Sequence, residues 1–137
     1  MSTTYSPVNP LAWLRIDTSC PSPGTVRAAV IGEIDLTTAP ALHDGLLSAL
    51  SAQEPELLDV DLAGVTFMDC IGVGVLIAAR RAAAATGCRL QVTNPQPIVR
   101  RVLELTGRLD VLTARIDQAL PALIDPSQSA MLSAVRR

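Results

Sequence analysis

The chain has 137 residues, enough for one domain with a sizeable core, and 49% of them are hydrophobic against 18% charged. Aromatic residues make up only 2%, so the core must be assembled from Leu, Val, Ile and Ala. A formal net charge of −2 argues against a basic footprint for a phosphate backbone, and so few aromatics cannot build a stacking platform for single strands.

In chain order, residues 1–10 are rich in Ser, Thr, Pro and Asn and read as a flexible lead-in without the pattern of a signal peptide. "LAWLRID" (11–17) reads as a strand and "TSCPSPG" (18–24) as turn chemistry. "TVRAAVIGEI" (25–34) is a second strand, in a hairpin whose connection is longer than the tightest types. "DLTTAPALHDGLLSALSA" opens a helix, with Thr37 or Thr38 as N-cap and Pro40 in the first turn. Leu42, Leu46, Leu47 and Leu50 share one face of it. "ELLDVDLAG" (56–64) is a short strand ending in a turn, and 71–86 is helical with Gly87 as the stop. "CRLQVTN" (88–94) alternates like a strand, and "PQPIVRRVLELTG" (95–107) is a helix begun by proline and ended by Gly107. "LDVLT" (109–113) reads as a last strand and "IDQALPALID" as a further helix, before a flexible tail at 126–137. The order ββαβαβαβα predicts an α/β domain over residues 11–125, built on a single mixed, mostly parallel sheet with right-handed crossovers.

The cysteines, Cys20, Cys70 and Cys88, are odd in number and form no C-x-x-C pair, which argues against a disulfide framework or a zinc site. Cys70 and Cys88 flank one helix, on the order of 24 Å apart, whereas a disulfide needs Cα atoms within about 7 Å. Cys20 and Cys88 belong to the opposite edge, and nothing in the sequence indicates that they pair. The longest apolar run ends at Arg80-Arg81, too short to span a bilayer. A cytoplasmic chain without metal or cofactor is expected.

The stretch that carries chemistry is "VTFMDCIGVGVLI" (65–77). In α/β sheets, ligands and partners meet the carboxyl ends of strands, and this segment joins a strand to a helix. Cys70 therefore belongs at or beside a helix N-cap, where N–H groups are unpaired and the dipole is positive. Two readings of it stay open. Cys70 is either a small, half-buried replacement for serine or a thiol sensor; the helix end lowers a thiol's pKa, and Asp69 next door raises it. Asp69 without His, Lys or a second acid makes a poor general base. Gly72 and Gly74 form a lone G-x-G, more suited to close packing than to holding phosphate. Asp35 opens a helix, where the dipole favours a carboxylate. His43, Arg100 and Arg101 read as solvated.

"DLAGVTFMDCIGVGVL" followed by "GCRLQVTNPQPIVRRVLELTG", with "VIGEIDLTTAPAL" before them, resembles the STAS domain of bacterial anti-sigma factor antagonists. The resemblance covers roughly residues 11–115, as three segments in the right order. All 11 basic residues are Arg, in keeping with a GC-rich bacterial genome. The resemblance implies a βα superhelix and a non-catalytic partner switch. Such proteins bind an anti-sigma factor, often a GHKL-type serine kinase, and thereby free a sigma factor. They do not bind nucleic acid or membrane directly. The implied partner-binding residues are Asp35, Asp69, Cys70, Ile71 and Gly72. The kinase phosphorylates a Ser or Thr directly after the Asp, and here the family's Asp-Ser-Ser-Gly is Asp69-Cys70-Ile71-Gly72. Cys70 thus occupies the phospho-acceptor position with no hydroxyl to modify. The alternatives are a STAS scaffold subunit that does not act on a sigma factor and a thiol-based, redox-responsive variant. An enzyme with Cys70 as nucleophile lacks a Cys-x5-Arg loop and a recognisable Cys-His pair.

Overall fold

The computed structural model describes residues 2–5 and 13–113. Its first strand, β1 (Ser2–Tyr5), lies antiparallel to β2 (Leu14–Ser22), so the expected lead-in contains a strand. A short polar segment carries no apolar alternation of its own; its pairing depends on the neighbouring edge. β2 runs antiparallel to β3 (Thr25–Ile34) through a turn at Pro23-Gly24. The connection is tighter than the sequence suggests. Pro23 presets its own φ, Gly24 takes φ +79°, and Ser22 already pairs with Thr25. An irregularity between Ser19 and Ser22 absorbs Cys20 and Pro21 within the strand.

Helix α1 (Ala39–Gln53) follows, with Thr38 at its N-cap and Pro40 in its first turn. It buries Leu42, Leu46 and Leu50, while Leu47 is half-buried. β4 (Leu57–Met68) is longer than the expected strand at 56–64. It pairs parallel to β3 with two register shifts, each adding one residue to β4. The bulges keep the strand hydrogen-bonded past Gly64, where a turn is expected. Helix α2 (Cys70–Ala85), strand β5 (Arg89–Thr93) and helix α3 (Pro97–Leu105) fall where the periodicity puts them, with Gly87 and Gly107 at positive φ behind the helices.

The chain then forms α4 (Leu109–Thr113) where a last strand is expected. Five residues are too few for either period to declare itself. Here Leu112 N–H donates to Arg108 O at 3.1 Å, and Leu112 is buried with Leu109 packed beside it. The element order of the described residues is therefore βββαβαβαα, differing from expectation at both ends. The helix expected in "IDQALPALID", the tail at 126–137 and the domain limit at 125 lie outside the described residues.

The fold class is the expected one. The sheet has the order β1-β2-β3-β4-β5 and is mixed and mostly parallel, since β2 alone runs against the other strands. Its inward face presents Leu14, Ile16, Val30, Ile34, Leu58 and Val60, in one buried cluster with Leu46 of α1, Leu76 of α2 and Leu103 of α3. Each such side chain contributes about 1.5–3 kcal/mol by leaving water. On the other face Arg27 Nε meets Asp59 Oδ2 at 3.2 Å, and Thr93 Oγ1 donates to Asp59 Oδ1 at 2.6 Å. The buried Asp59 carboxylate is thus paired across three strands.

Candidate functional site

Two aspartate turns stand side by side where β3 and β4 end. In the first, Asp35 Oδ1 accepts the N–H groups of Thr37 and Thr38 at 2.9 and 3.1 Å. Thr38 does not cap α1 with its own side chain; its hydroxyl donates to Glu33 O at 2.7 Å and accepts from Asp35 N–H at 3.0 Å. This closed network leaves Leu36 projecting from the turn, 72% exposed. In the second turn Asp69 is the N-cap of α2. Its Oδ1 accepts the N–H groups of Ile71 and Gly72 at 3.0 and 3.3 Å. Asp69 N–H donates to Ile34 O at 3.2 Å, tying the head of α2 to the end of β3.

Cys70 is the first residue of α2 and is exposed; Ile71 beside it is 39% exposed. Gly72 lies behind the surface. A Cβ there would sit 2.6 Å from both Ile34 Cγ2 and Met68 Cγ, so glycine is what lets α2 close onto the sheet. The structure therefore gathers Asp35, Asp69, Cys70 and Ile71 on one edge, with Gly72 packed directly behind them. Asp69 is engaged as a cap, and the one histidine, His43, pairs with its neighbour Asp44 at 3.5 Å. No cluster of His, Cys, Asp and Glu suited to a metal occurs among the described residues.

Sequence reasoning missed two exposed apolar side chains on the same edge, Leu36 and Phe67. Phe67 stays outside because of the second β4 bulge. After the first bulge Val65 points inward, and strict alternation would bury Phe67 with it. The added residue, Thr66, makes Met68 the buried one instead. The glycines of β3 and β4 are the only local hint of this. Cys20 and Cys88 are free thiols like Cys70; Cys20 is exposed and Cys88 buried. Burial pushes the Cys88 thiol up, against a smaller downward pull from a hydrogen bond to the Leu58 backbone. Arg100 and Arg101 face water, and Arg100 pairs with Glu104 at 3.2 Å. No helix among the described residues is long and apolar enough to cross a membrane.

Residues 22–114, from the β2–β3 turn through α4, match the family described as Mlab, STAS domain. The chain belongs to the STAS domain family. The anti-sigma-B factor antagonist of Listeria monocytogenes is 31% identical to this STAS domain over 83 residues, or 61% of this chain and 72% of that protein. The crystal structure of an anti-sigma factor antagonist from Mycobacterium paratuberculosis is 31% identical, with a TM-score of 0.60 over 80% of this chain and 92% of that one. The anti-sigma factor antagonist SpoIIAA in its unphosphorylated form shares the fold, with a TM-score of 0.61 at 23% identity over 82% and 96% of the two chains. Within the STAS fold, the Asp69 turn is the junction between the fourth strand and second helix of this chain. These relatives are named for antagonism of a protein, and none of the three for a reaction.

Proposed function

We propose that this STAS domain is an anti-sigma factor antagonist: it binds an anti-sigma factor and thereby releases a sigma factor, in the cytoplasm. The observation that carries the reading is the exposed head of α2, where Asp69 caps the helix and Cys70 faces solvent beside the exposed Ile71. Relatives at 31% identity carry the same role in their names. The interface comprises Asp35, Asp69, Cys70, Ile71 and Gly72, the glycine letting the α2 head sit close on the sheet. The two carboxylates shape the turns, and Ile71 with Leu36 supplies apolar contact. A thiol at residue 70 accepts no phosphate from a serine kinase. Binding here is therefore not switched by phosphorylation at that position, even where the partner is a GHKL-type kinase.

The test begins with capture of partners from the native host and identification by mass spectrometry. An anti-sigma factor is the expected catch; recovery of only a large assembly of STAS homologues overturns the reading. The purified anti-sigma factor is then titrated against wild type and Cys70→Asp. A carboxylate brought beside a partner's acid, or buried unpaired, can cost several kcal/mol. The expected result is at least about a tenfold loss of affinity. Equal binding by the two proteins removes residue 70 from the interface. If the partner is a kinase, incubation with ATP should leave wild type unlabelled and label Cys70→Ser.

A further inference from the structure

The chain has one Trp, one Tyr and one Phe. None of the buried side chains among the described residues is aromatic. Trp13 is 49% exposed and Phe67 41%, although Trp13 precedes β2 and Phe67 lies near the end of β4. The sheet brings them together. Glu33 N–H donates to Trp13 O at 3.2 Å, and Glu33 stands in register with Phe67. Trp13, immediately before β2, Glu33 of β3 and Phe67 of β4 therefore form a row across the sheet. Their chain neighbours Leu14, Ile34 and Met68 point into the core, so the row lies on the outward face of the sheet. Tyr5 is in register with Leu14, next to Trp13 in the chain. The row runs into the proposed interface, since only Met68 and Asp69 separate Phe67 from Cys70.

Charge narrows what fits there. The row and its adjoining turns carry Glu33, Asp35 and Asp69, and the basic residue at that end of β2, Arg15, is held by Asp17 at 3.2 Å. The complementary surface is an apolar pocket rimmed by Arg or Lys. Exposed aromatic side chains that enter such pockets are the residues on which binding energy concentrates.

We infer that Trp13 and Phe67 are the apolar anchors of the interface with the anti-sigma factor, seated in an apolar pocket of that protein with a basic rim. The inference rests on the partner reading above and adds its dominant contacts, on the sheet beside the Cys70 turn. The binding face is then two-part: a row of aromatics on the sheet, and the Cys70 turn at its edge.

Trp13 is the chain's one tryptophan, so a fluorotryptophan label gives a single fluorine resonance whatever the partner contains. The labelled protein is titrated with the purified anti-sigma factor. On binding, the resonance should shift and lose its sensitivity to exchange of water for deuterium oxide. Trp13→Ala and Phe67→Ala should each weaken binding by at least about tenfold. Trp13→Phe and Phe67→Leu should retain most of the affinity, which separates contact from misfolding. Added salt should weaken the complex. A bound complex with an unshifted resonance, and with both alanine variants at wild-type affinity, overturns the aromatic row while Cys70→Asp still reports on the partner reading. Wild type that binds no anti-sigma factor overturns both. A shielded Trp13 in the free protein, with a dimer in sedimentation, makes the row a contact between two copies and also overturns the inference.

Discussion

Gly72 and Gly74 are two residues apart on α2, about 200° around the helix, and meet opposite surroundings. A Cβ on Gly72 would strike Ile34 and Met68, whereas one on Gly74 would meet nothing within 4 Å. Gly72→Ala should therefore lower stability by about 1–3 kcal/mol through overpacking. Gly74→Ala should raise it by up to about 1 kcal/mol, because alanine is the better helix former. Urea denaturation of the pair checks both signs. The thiols divide in the same way. Cys20 and Cys70 should react with a thiol reagent in the native protein, and the buried Cys88 only on unfolding. Because burial pushes the Cys88 thiol up, the unfolded chain loses its proton first as pH rises. The associated stability is complete below the unfolded thiol range, about 8.5, and declines above it. Denaturation midpoints from pH 7 to 10, compared with Cys88→Ala, should show the variant with the shallower fall.

At the scale of elements, the edge depends on how β2, β3 and β4 are threaded together. Gly32 has φ +128°, and a Cβ there would lie 2.3 Å from Trp13 O. No other residue permits that backbone conformation and that approach together. Gly32→Ala should cost more than about 2 kcal/mol and should loosen the start of β2, carrying Trp13 out of its row. Hydrogen exchange is the direct measurement. Glu33 N–H, bonded to Trp13 O, should lose protection in the variant, while the amides of α3 keep theirs. Unchanged protection at Glu33 would show that the strands tolerate the substitution by shifting together. The β4 bulges belong to the same scale. They let one strand bury Leu62, Val65 and Met68 at spacings that a regular strand cannot, and so leave Phe67 on the surface.

For the whole molecule, the core and the proposed interface are built from different residues. Leu46 is fully buried in α1, in the one cluster that joins sheet and helices. Leu46→Ala should lower stability by about 2–5 kcal/mol through lost burial and the cavity left behind. Because Leu46 is not at the β3 and β4 ends, the affinity of the folded variant for its partner should equal that of wild type. Calorimetric titration well below the melting point, beside a denaturation curve, separates the two quantities. A loss of affinity matching that of Cys70→Asp would mean that the core sets the shape of the edge.

Much of this was legible in the chain itself. The spacing of Leu42, Leu46 and Leu50 sets the buried face of α1. The alternation of residues 25–34 and 88–94 marks β3 and β5, and glycines stop α2 and α3. These features depend on local periodicity and on backbone freedom, which a sequence carries directly. The position of Asp69 and Cys70 between a strand and a helix was legible for the same reason. Only the tertiary structure decided the rest. Residues 109–113 are too short to show a period, and packing of Leu112 made them helical. β1 exists through its pairing with β2. The length of β4 and the outward turn of Phe67 come from bulges that form against β3. The row of Trp13, Glu33 and Phe67 unites residues far apart in sequence, and hydrogen bonds between strands, which no local pattern encodes, set its register.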